Sequence, residues 1–180
     1  MRRHWARVIC DEAIEDYIHN LDSHSINVLE ISGKRWINYF SDHKYHSLSY
    51  PEFDISKNVD DSNIYDLIIM EHVLEHIPNP SIAIKNIYSL LKTGGSLILA
   101  TPFLIKVHYA PEDCTRWTKE GLRYLLLNSG FSKNNIEVNQ WGNKPAVIAN
   151  FNKWVKYKPY LHSLENETPF PISIWGFAKK

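Results

Sequence analysis

The hydrophobic and polar positions of the chain predict an alternation of helices and strands. Apolar residues at helical spacing, ended by glycine or proline, predict helices over 5–20, 81–91, 118–131 and 151–158. Short apolar runs predict strands at 26–32, within 46–56, and at 65–70, 96–103, 134–141 and 170–180. Ser81 and Thr118 are suitable N-caps for the two middle helices.

The order of these elements predicts an α/β protein. Strands separated by helices form βαβ units, which give a mainly parallel sheet covered by helices on both faces. In sheets of this kind, ligands bind outside the carboxyl ends of the strands. The segments of interest therefore lie after Glu30, around Asp54, after Met70 and after Thr101.

Composition and charge exclude several classes of protein. The chain has 180 residues, and its 20 basic residues are balanced by 20 acidic ones, so no net positive field attracts nucleic acid or an anionic membrane. No apolar run reaches the roughly 18 residues that a membrane-spanning helix needs, and acidic residues interrupt the N-terminal segment, which does not resemble a secretory signal. The only cysteines, Cys10 and Cys114, lack C-x-x-C spacing, which favours a cytoplasmic location.

The stretch EHVLEHIPNP, residues 71–80, has two functional interpretations. It contains H-x-x-E-H, in which His72 and His76 have the spacing of zinc ligands on one helix and Glu75 has the position of a base. However, Pro78 and Pro80 end such a helix within two turns, and no third ligand is marked later in the sequence. A zinc metalloprotease therefore stays a remote alternative. We expect a turn without a metal at the exit of the strand; a solvated turn that only packs its apolar pair inward is the simpler alternative.

Two longer segments resemble class I S-adenosylmethionine-dependent methyltransferases. The segment 65–103 is similar to the family's fourth strand, the following turn and helix, a Lys-x-Gly-Gly turn and the fifth strand. The segment 108–131 resembles a subgroup pattern of His, Pro-x-Asp, Arg-aromatic-Thr and Gly-Leu, and the likeness runs from about Val28 to Phe131. It implies a Rossmann-like, doubly wound and mainly parallel sheet with an antiparallel C-terminal strand.

The same resemblance implies one domain over 1–180 with S-adenosylmethionine as its methyl donor. Residues 1–25 form the N-terminal helix, 26–131 the cofactor-binding core, and 132–180 the C-terminal strands and helix. Glu30 matches the acidic residue that ends the first strand, and Ser32 with Gly33 keeps the following turn small. The chain departs from the family's Gly-x-Gly pattern further on, with bulkier residues at Lys34 and Trp36, which leaves the pose of the donor open.

Further donor-binding positions follow from the resemblance. Tyr50 lies near the position that usually contacts the ribose, Asp54 matches an aspartate near the family's third strand, and Asn58 falls where the adenine amino group is usually bound. Met70 and Glu71 lie at the exit of the fourth family strand. These residues are the remaining candidates for donor contacts.

His76 and His108 are the candidate catalytic bases. Each follows a strand of the predicted sheet, and a histidine is a suitable base near neutral pH. The segment 106–118 is expected to wall the acceptor site, with Asp113 and Arg116 paired. The leading function is methyl transfer to a hydroxyl or amine of a small molecule or sugar. A catalytically degenerate binding subunit is the alternative, and a homodimer is possible; neither nucleic acid nor membrane is expected as a partner.

Overall fold

A computed structural model describes residues 3–22, 25–57, 59, 64–109 and 111–180. Its centre is a six-stranded sheet with the strand order β2-β1-β3-β4-β6-β5. The strands are β1 Val28–Ile31, β2 Tyr45–Leu48, β3 Tyr65–Glu71, β4 Leu91–Pro102, β5 Ile136–Trp141 and β6 Ser173–Lys179. The strands β2, β1, β3 and β4 are parallel neighbours, whereas β6 is antiparallel to both β4 and β5. The predicted α/β class, with a mainly parallel sheet and an antiparallel C-terminal strand, is confirmed.

Helices cover both faces of this sheet. They are α1 Val8–His19, α2 Pro80–Leu90, α3 Lys119–Asn128 and α4 Lys144–Asn152. Successive side chains of a strand point to opposite faces, so Ile68 of β3 packs into the core shared with α2 and α3, while Ile69 packs into the core shared with α1 and α4. Among the described residues, no helix has the length and apolar character needed to cross a bilayer.

The segment between β1 and β3 contains less regular secondary structure than the resemblance implies. Between β1 and β2 the chain forms the 3-10 turns Ile37–Tyr39 and Asp42–Lys44 and no α-helix. The expected third strand near Asp54 is wrong, because the described residues between Leu48 and Tyr65 form turns and no strand. The β2 strand is therefore the edge of the sheet.

The boundaries of α2 and β4 differ from those predicted. Pro80 is the first residue of α2 and Asn79 precedes it as the N-cap, so Ser81 is not the cap. The helix ends at Leu90 and β4 begins at once, earlier than expected. A bulge absorbs the additional residues: Gly94 has a positive φ of 83°, and a Cβ at Gly95 would lie 3.0 Å from the carbonyl oxygen of Tyr65.

The predicted C-terminal helix over 151–158 is wrong in position. The helix α4 ends at Asn152, and its N-terminus is capped by the Asn143 side chain, which accepts a hydrogen bond from the backbone of Ala146. Beyond it, the backbone is recruited by the N-terminal segment, since Val155 accepts a hydrogen bond from Trp5 and Lys156 forms a bridge with His4. This tertiary pairing overrides the local helical pattern. By contrast, the predicted Thr118 cap of α3 is confirmed, with Gly121 as its donor.

Candidate active site

The carboxyl ends of β1, β3 and β4 meet at one edge of the sheet. Ile31 of β1 pairs with Met70 of β3, which pairs with Leu99 of β4, so the three strands end side by side. The residues that follow each strand therefore converge. The Met70 side chain itself is fully buried in the apolar core, so this predicted donor residue presents only its backbone at the edge.

The loop after β1 is built around the carboxylate of Glu30. This side chain is buried and accepts hydrogen bonds from the backbone N–H groups of Arg35 (2.9 Å) and Trp36 (3.1 Å), and from the Tyr45 hydroxyl. Burial, followed by the bond to Glu30, raises the pKa of Tyr45 above its usual range, so this hydroxyl stays a donor. The backbone N–H groups of residues 35 and 36 are thereby held in one arrangement.

The turn between Glu30 and that anchored backbone is tight. Ser32 has a positive φ of 59°, and its N–H donates to Leu48 at 2.8 Å. A Cβ at Gly33 would overlap Oε1 of Glu30, so any larger residue there would displace this carboxylate. The carbonyl of Gly33 accepts from the Ser47 hydroxyl at 2.6 Å. Ser32 and Gly33 thus shape the loop at the edge where the strands end.

A network of charges links this loop to the first helix. Glu71, at the end of β3, accepts from the guanidinium of Arg7 and from the indole N–H of Trp36, both at 2.6 Å. Buried Asp11 binds Arg7 at 3.3 Å and Arg35 at 2.5 Å. Although burial opposes its charge, Glu71 and Asp11 raise the pKa of Arg7 above its usual value. Glu71, which is predicted to contact the methyl donor, is therefore already bound by groups of the protein itself.

The other predicted donor residues lie beyond β2. Tyr50 is largely exposed, while the Asp54 carboxylate accepts from the backbone and hydroxyl of Ser56, which lowers the pKa of Asp54. Asp54 lines a cavity of about 460 Å³ between the 51–59 loop and the face of the sheet. None of the described residues that line this cavity is a histidine. Asn58 lies outside the described residues.

On the β4 side, imidazoles surround one buried carboxylate. The 3-10 turn Leu74–His76 follows β3, and Glu75 on it is completely buried. The Oε1 atom of Glu75 lies 3.7 Å from Nδ1 of His72, 3.7 Å from Nε2 of His76 and 3.8 Å from Nε2 of His108. His72 has a positive φ of 52°, which is unfavourable for a non-glycine residue and turns the chain sharply out of the strand.

The two candidate bases are held by neighbouring groups. The carbonyl of Glu112 accepts a hydrogen bond from Nδ1 of His76. Asp113 accepts from the backbone N–H of His108 at 2.8 Å and forms a bidentate pair with Arg116, as expected from the sequence. Burial opposes the ionisation of Asp113, but the hydrogen bonds from Arg116 and His108 lower its pKa. Burial also lowers the pKa of His108, although the nearby carboxylates of Asp113 and Glu75 act in the opposite direction. Burial thus favours the neutral form of the His108 imidazole.

A second cavity, of about 230 Å³, opens beside the histidines. Its polar lining includes Arg7, His72 and His108, and its apolar wall includes Ile105 and Trp154. The Trp154 ring meets the His108 ring edge to face at 5.9 Å. The cavity thus combines basic groups with a flat aromatic surface, which suits a polar organic molecule.

Some of these contributors were not identified from the sequence. Arg7 and Trp154 are 147 positions apart (154 − 7), and neither stands in a recognisable motif. Glu75 was considered only as a base in the protease interpretation, yet it is the buried centre of the histidine cluster. A charged residue next to a buried strand, inside a stretch that contains histidines, is the signal that marks it.

Comparison with known proteins places the chain in a family. Residues 2–152 match the family model described as a methyltransferase domain, so the chain belongs to this family of S-adenosylmethionine-dependent methyltransferases. No curated protein sequence matches the chain.

Solved structures show the same fold at low sequence identity. A Mesorhizobium loti S-adenosylmethionine-dependent methyltransferase is 13% identical with a TM-score of 0.64, over 97% of this chain and 98% of that one. An Archaeoglobus fulgidus methyltransferase is 13% identical with a TM-score of 0.58, over 97% and 94%. Haemonchus contortus phosphoethanolamine N-methyltransferase 2 is 13% identical with a TM-score of 0.62, over 96% of this chain but 53% of that chain.

Proposed function

We propose that this protein transfers a methyl group from S-adenosylmethionine to a hydroxyl or amine of a small molecule or sugar. The observation that carries the proposal is that the loop after β1 and the cavity beside the histidines lie at the same edge of the sheet. Arg7 lines the cavity and binds Glu71, which also binds Trp36 of the loop. Donor and acceptor bound at this edge would be adjacent. The proposal treats residues 1–180 as one domain in the cytoplasm, a location that the unpaired Cys10 and Cys114 favour.

The donor is assigned to the loop side of this edge. Glu30, Ser32 and Gly33 shape the loop, and Glu71 closes its inner end. The carboxylate of Glu71 lies at the exit of β3, where it can attract the sulfonium cation. Its ion pair with Arg7 offsets part of this attraction. Tyr50, Asp54 and Asn58 are assigned to the ribose and adenine end of the donor.

The acceptor is assigned to the 230 Å³ cavity. Methyl transfer is a displacement in which the acceptor atom bonds to the methyl carbon while the carbon–sulfur bond breaks and its electron pair stays on sulfur. The protein contributes alignment and assists the loss of the acceptor proton. The Trp154 ring offers a face on which a sugar or aromatic ring stacks. His108 lines the same cavity, and the His76 ring contacts the His108 ring edge to face at 5.0 Å.

A binding subunit without catalysis is the second candidate. It is favoured by the fact that Glu30 and Glu71 are both engaged by groups of the protein itself. A donor-binding site whose carboxylates are already paired can bind its ligand weakly or not at all. The two candidates differ in whether the donor binds.

Calorimetric titration with S-adenosylmethionine and with S-adenosylhomocysteine tests the proposal. We expect binding of both, with Glu30→Ala weakening each at least ~10-fold because two backbone N–H groups lose their acceptor and the loop rearranges. Glu165→Ala, at an exposed position, is the control and should bind like the wild type. If neither compound binds to the wild type, the result would support the binding-subunit candidate.

Labelled donor then identifies the acceptor. Nucleotide sugars, glycans, phenols and amines are incubated with the protein, and transfer of label is measured. The solved Haemonchus contortus enzyme is an N-methyltransferase in complex with phosphomonomethylethanolamine, which justifies including amines in the screen.

A further inference from the structure

Among the described residues, the carboxylate of Glu75 is buried without a hydrogen-bonding partner. Neither oxygen has one, and both lie beneath the surface of the protein. In the part of the chain that the structure describes, Nε2 of His72 and Nδ1 of His108 are also buried and make no hydrogen bond, although Nδ1 of His108 lies 3.4 Å from the Asp113 carboxylate. An unpaired buried carboxylate is strongly unfavourable, and native proteins retain one where an ion or a reacting group completes it.

The distances in the cluster match those between ligands of one metal ion. Separations of 3.7 and 3.8 Å from Oε1 of Glu75 to Nε2 of His76 and of His108 are too long for hydrogen bonds. Two tetrahedral ligands that are each about 2.1 Å from an ion are about 3.4 Å apart. The possible ligand atoms of these three residues all lie within 4.8 Å of one another. We propose that Glu75, His76 and His108 bind a divalent transition-metal ion.

The surroundings orient both imidazoles for this role. A carbonyl can only accept, so the bond to Glu112 requires the hydrogen of His76 to be on Nδ1, which leaves the lone pair of Nε2 directed at Glu75. In His108, Nδ1 faces the carboxylate of Asp113 at 3.4 Å, while Nε2 faces Glu75. A metal-binding histidine usually presents its other nitrogen to a carbonyl or carboxylate in this way. Arg116 in turn holds Asp113.

The ligand set selects the kind of ion. Two imidazoles and one carboxylate suit Zn²⁺, Fe²⁺ or Mn²⁺, whereas Mg²⁺ prefers oxygen ligands. Three protein ligands leave a coordination position open. Because His108 also lines the 230 Å³ cavity, an acceptor bound there can reach that position. His72, whose Nδ1 lies 3.7 Å from Glu75, stands beside these three ligands.

The metal site narrows the acceptor to one with an ionisable oxygen, a deduction that rests on the proposed function. A hydroxyl bound to the ion loses its proton to water more readily. The oxygen then forms a bond to the methyl carbon, and the carbon–sulfur bond breaks with its electron pair on sulfur, giving a methyl ether and neutral S-adenosylhomocysteine. His76 and His108 are ligands in this scheme rather than the bases predicted from the sequence.

Calorimetry on protein stripped with a chelator tests the metal site without donor or acceptor. Zn²⁺ and Mn²⁺ are titrated separately, with Mg²⁺ for comparison. We expect one transition-metal ion per chain, with binding weakened by ~100-fold or more in His76→Ala and in His108→Ala. His43→Ala, at an exposed histidine in the turn before β2, is the matched control and should leave the binding unchanged.

Thermal unfolding of Glu75→Gln separates a metal ligand from a structural carboxylate. The amide keeps the shape and removes the unpaired charge, so the metal-free variant should melt no lower than the metal-free wild type. We expect Zn²⁺ or Mn²⁺ to raise the melting temperature of the wild type and not that of the variant. No increase in the wild type, or an equal increase in both proteins, would overturn the proposal.

Titration with S-adenosylmethionine distinguishes failure of the metal site from failure of the proposed function. If S-adenosylmethionine binds but no transition metal does, only the metal site is wrong. If the metal binds but neither donor nor product does, the metal site stands and the methyltransferase proposal fails. With an acceptor identified, chelation should abolish transfer to its oxygen, and added Zn²⁺ or Mn²⁺ should restore it; transfer that persists after full removal of metal would overturn the catalytic role.

Discussion

Oε1 of Glu30 occupies the space that the Cβ atom of any larger residue at Gly33 would need. The carboxylate can bind the backbone N–H groups of residues 35 and 36 only because position 33 lacks a side chain. The acidic residue and the glycine of this loop therefore act as a pair. Its geometry depends on a steric condition as well as on hydrogen bonds.

Gly33→Ala should disrupt the loop and weaken donor binding. The added methyl group displaces Glu30, and the loop loses its anchor, so we expect affinity for S-adenosylmethionine to fall at least ~10-fold, measured by calorimetry. Gly94→Ala is the control: its φ of 83° is unfavourable for alanine, but no atom lies within 4 Å of the added Cβ, so it should cost stability without changing donor affinity. Equal donor affinity of Gly33→Ala and the wild type would contradict the loop's assignment.

Arg7→Leu should destabilise the protein by about 1–3 kcal/mol, because it leaves the nearly buried carboxylate of Glu71 with the indole of Trp36 as its only hydrogen-bond donor among the described residues. Urea unfolding measures the change. The double variant with Arg7→Leu and Glu71→Gln should recover part of the lost stability. The exposed pair of Arg123 with Glu120 offers a comparison, and Arg123→Leu should cost less than about 1 kcal/mol. A similar loss from both single variants would argue against a special role for the Arg7 pair.

The stability of the protein should depend on Asp66 in acid. Burial opposes its ionisation, but donation from Lys92 and from the backbone of Asn27 lowers the pKa of Asp66 below its usual value. A carboxyl with a lowered folded-state pKa stabilises the fold above its unfolded pKa of about 3.9, and this contribution is lost as the pH falls through the folded value.

Asp66→Asn should therefore reduce the free energy of unfolding near pH 7 by at most about 1 kcal/mol, since the pair is partly exposed. The difference from the wild type should disappear well below pH 4. Denaturant titrations at several pH values give this comparison, and Glu165→Gln at an exposed position is expected to show no such dependence. A difference that stays constant down to low pH would mean that the carboxylate's charge is not involved.

Asn143→Ala should cost more stability than the loss of a helix cap. Its side-chain oxygen caps α4, while its amide nitrogen donates to the carbonyls of Ser163 (3.2 Å) and Glu165 (3.0 Å). We expect a loss of about 2–3 kcal/mol in urea unfolding, from one cap and two further bonds. Thr118→Ala, which removes only the cap of α3, should cost about 1 kcal/mol. Equal losses would show that the bonds to the C-terminal segment contribute nothing.

The sequence by itself determined the elements that depend on local pattern. The apolar runs of β1 and β3 and the amphipathic pattern of α3 each bury their residues as predicted. A strand that is apolar on both faces, or a helix that is apolar on one, has few other stable arrangements. Their alternation was sufficient for the parallel sheet, and the positions of Glu30, Glu71 and His76 at strand exits followed from it.

The tertiary structure alone decided which of those exits meet and what lies between them. His108 follows β4, 33 positions after Glu75 (108 − 75). It approaches that carboxylate because β3 and β4 are neighbours and because Asp113 binds the backbone of His108 in the loop after β4. No local pattern records this approach, so the sequence offered no third ligand beside His72 and His76. The end of α4 was decided in the same way, since pairing with the N-terminal segment competes with helical hydrogen bonds that the local sequence favours.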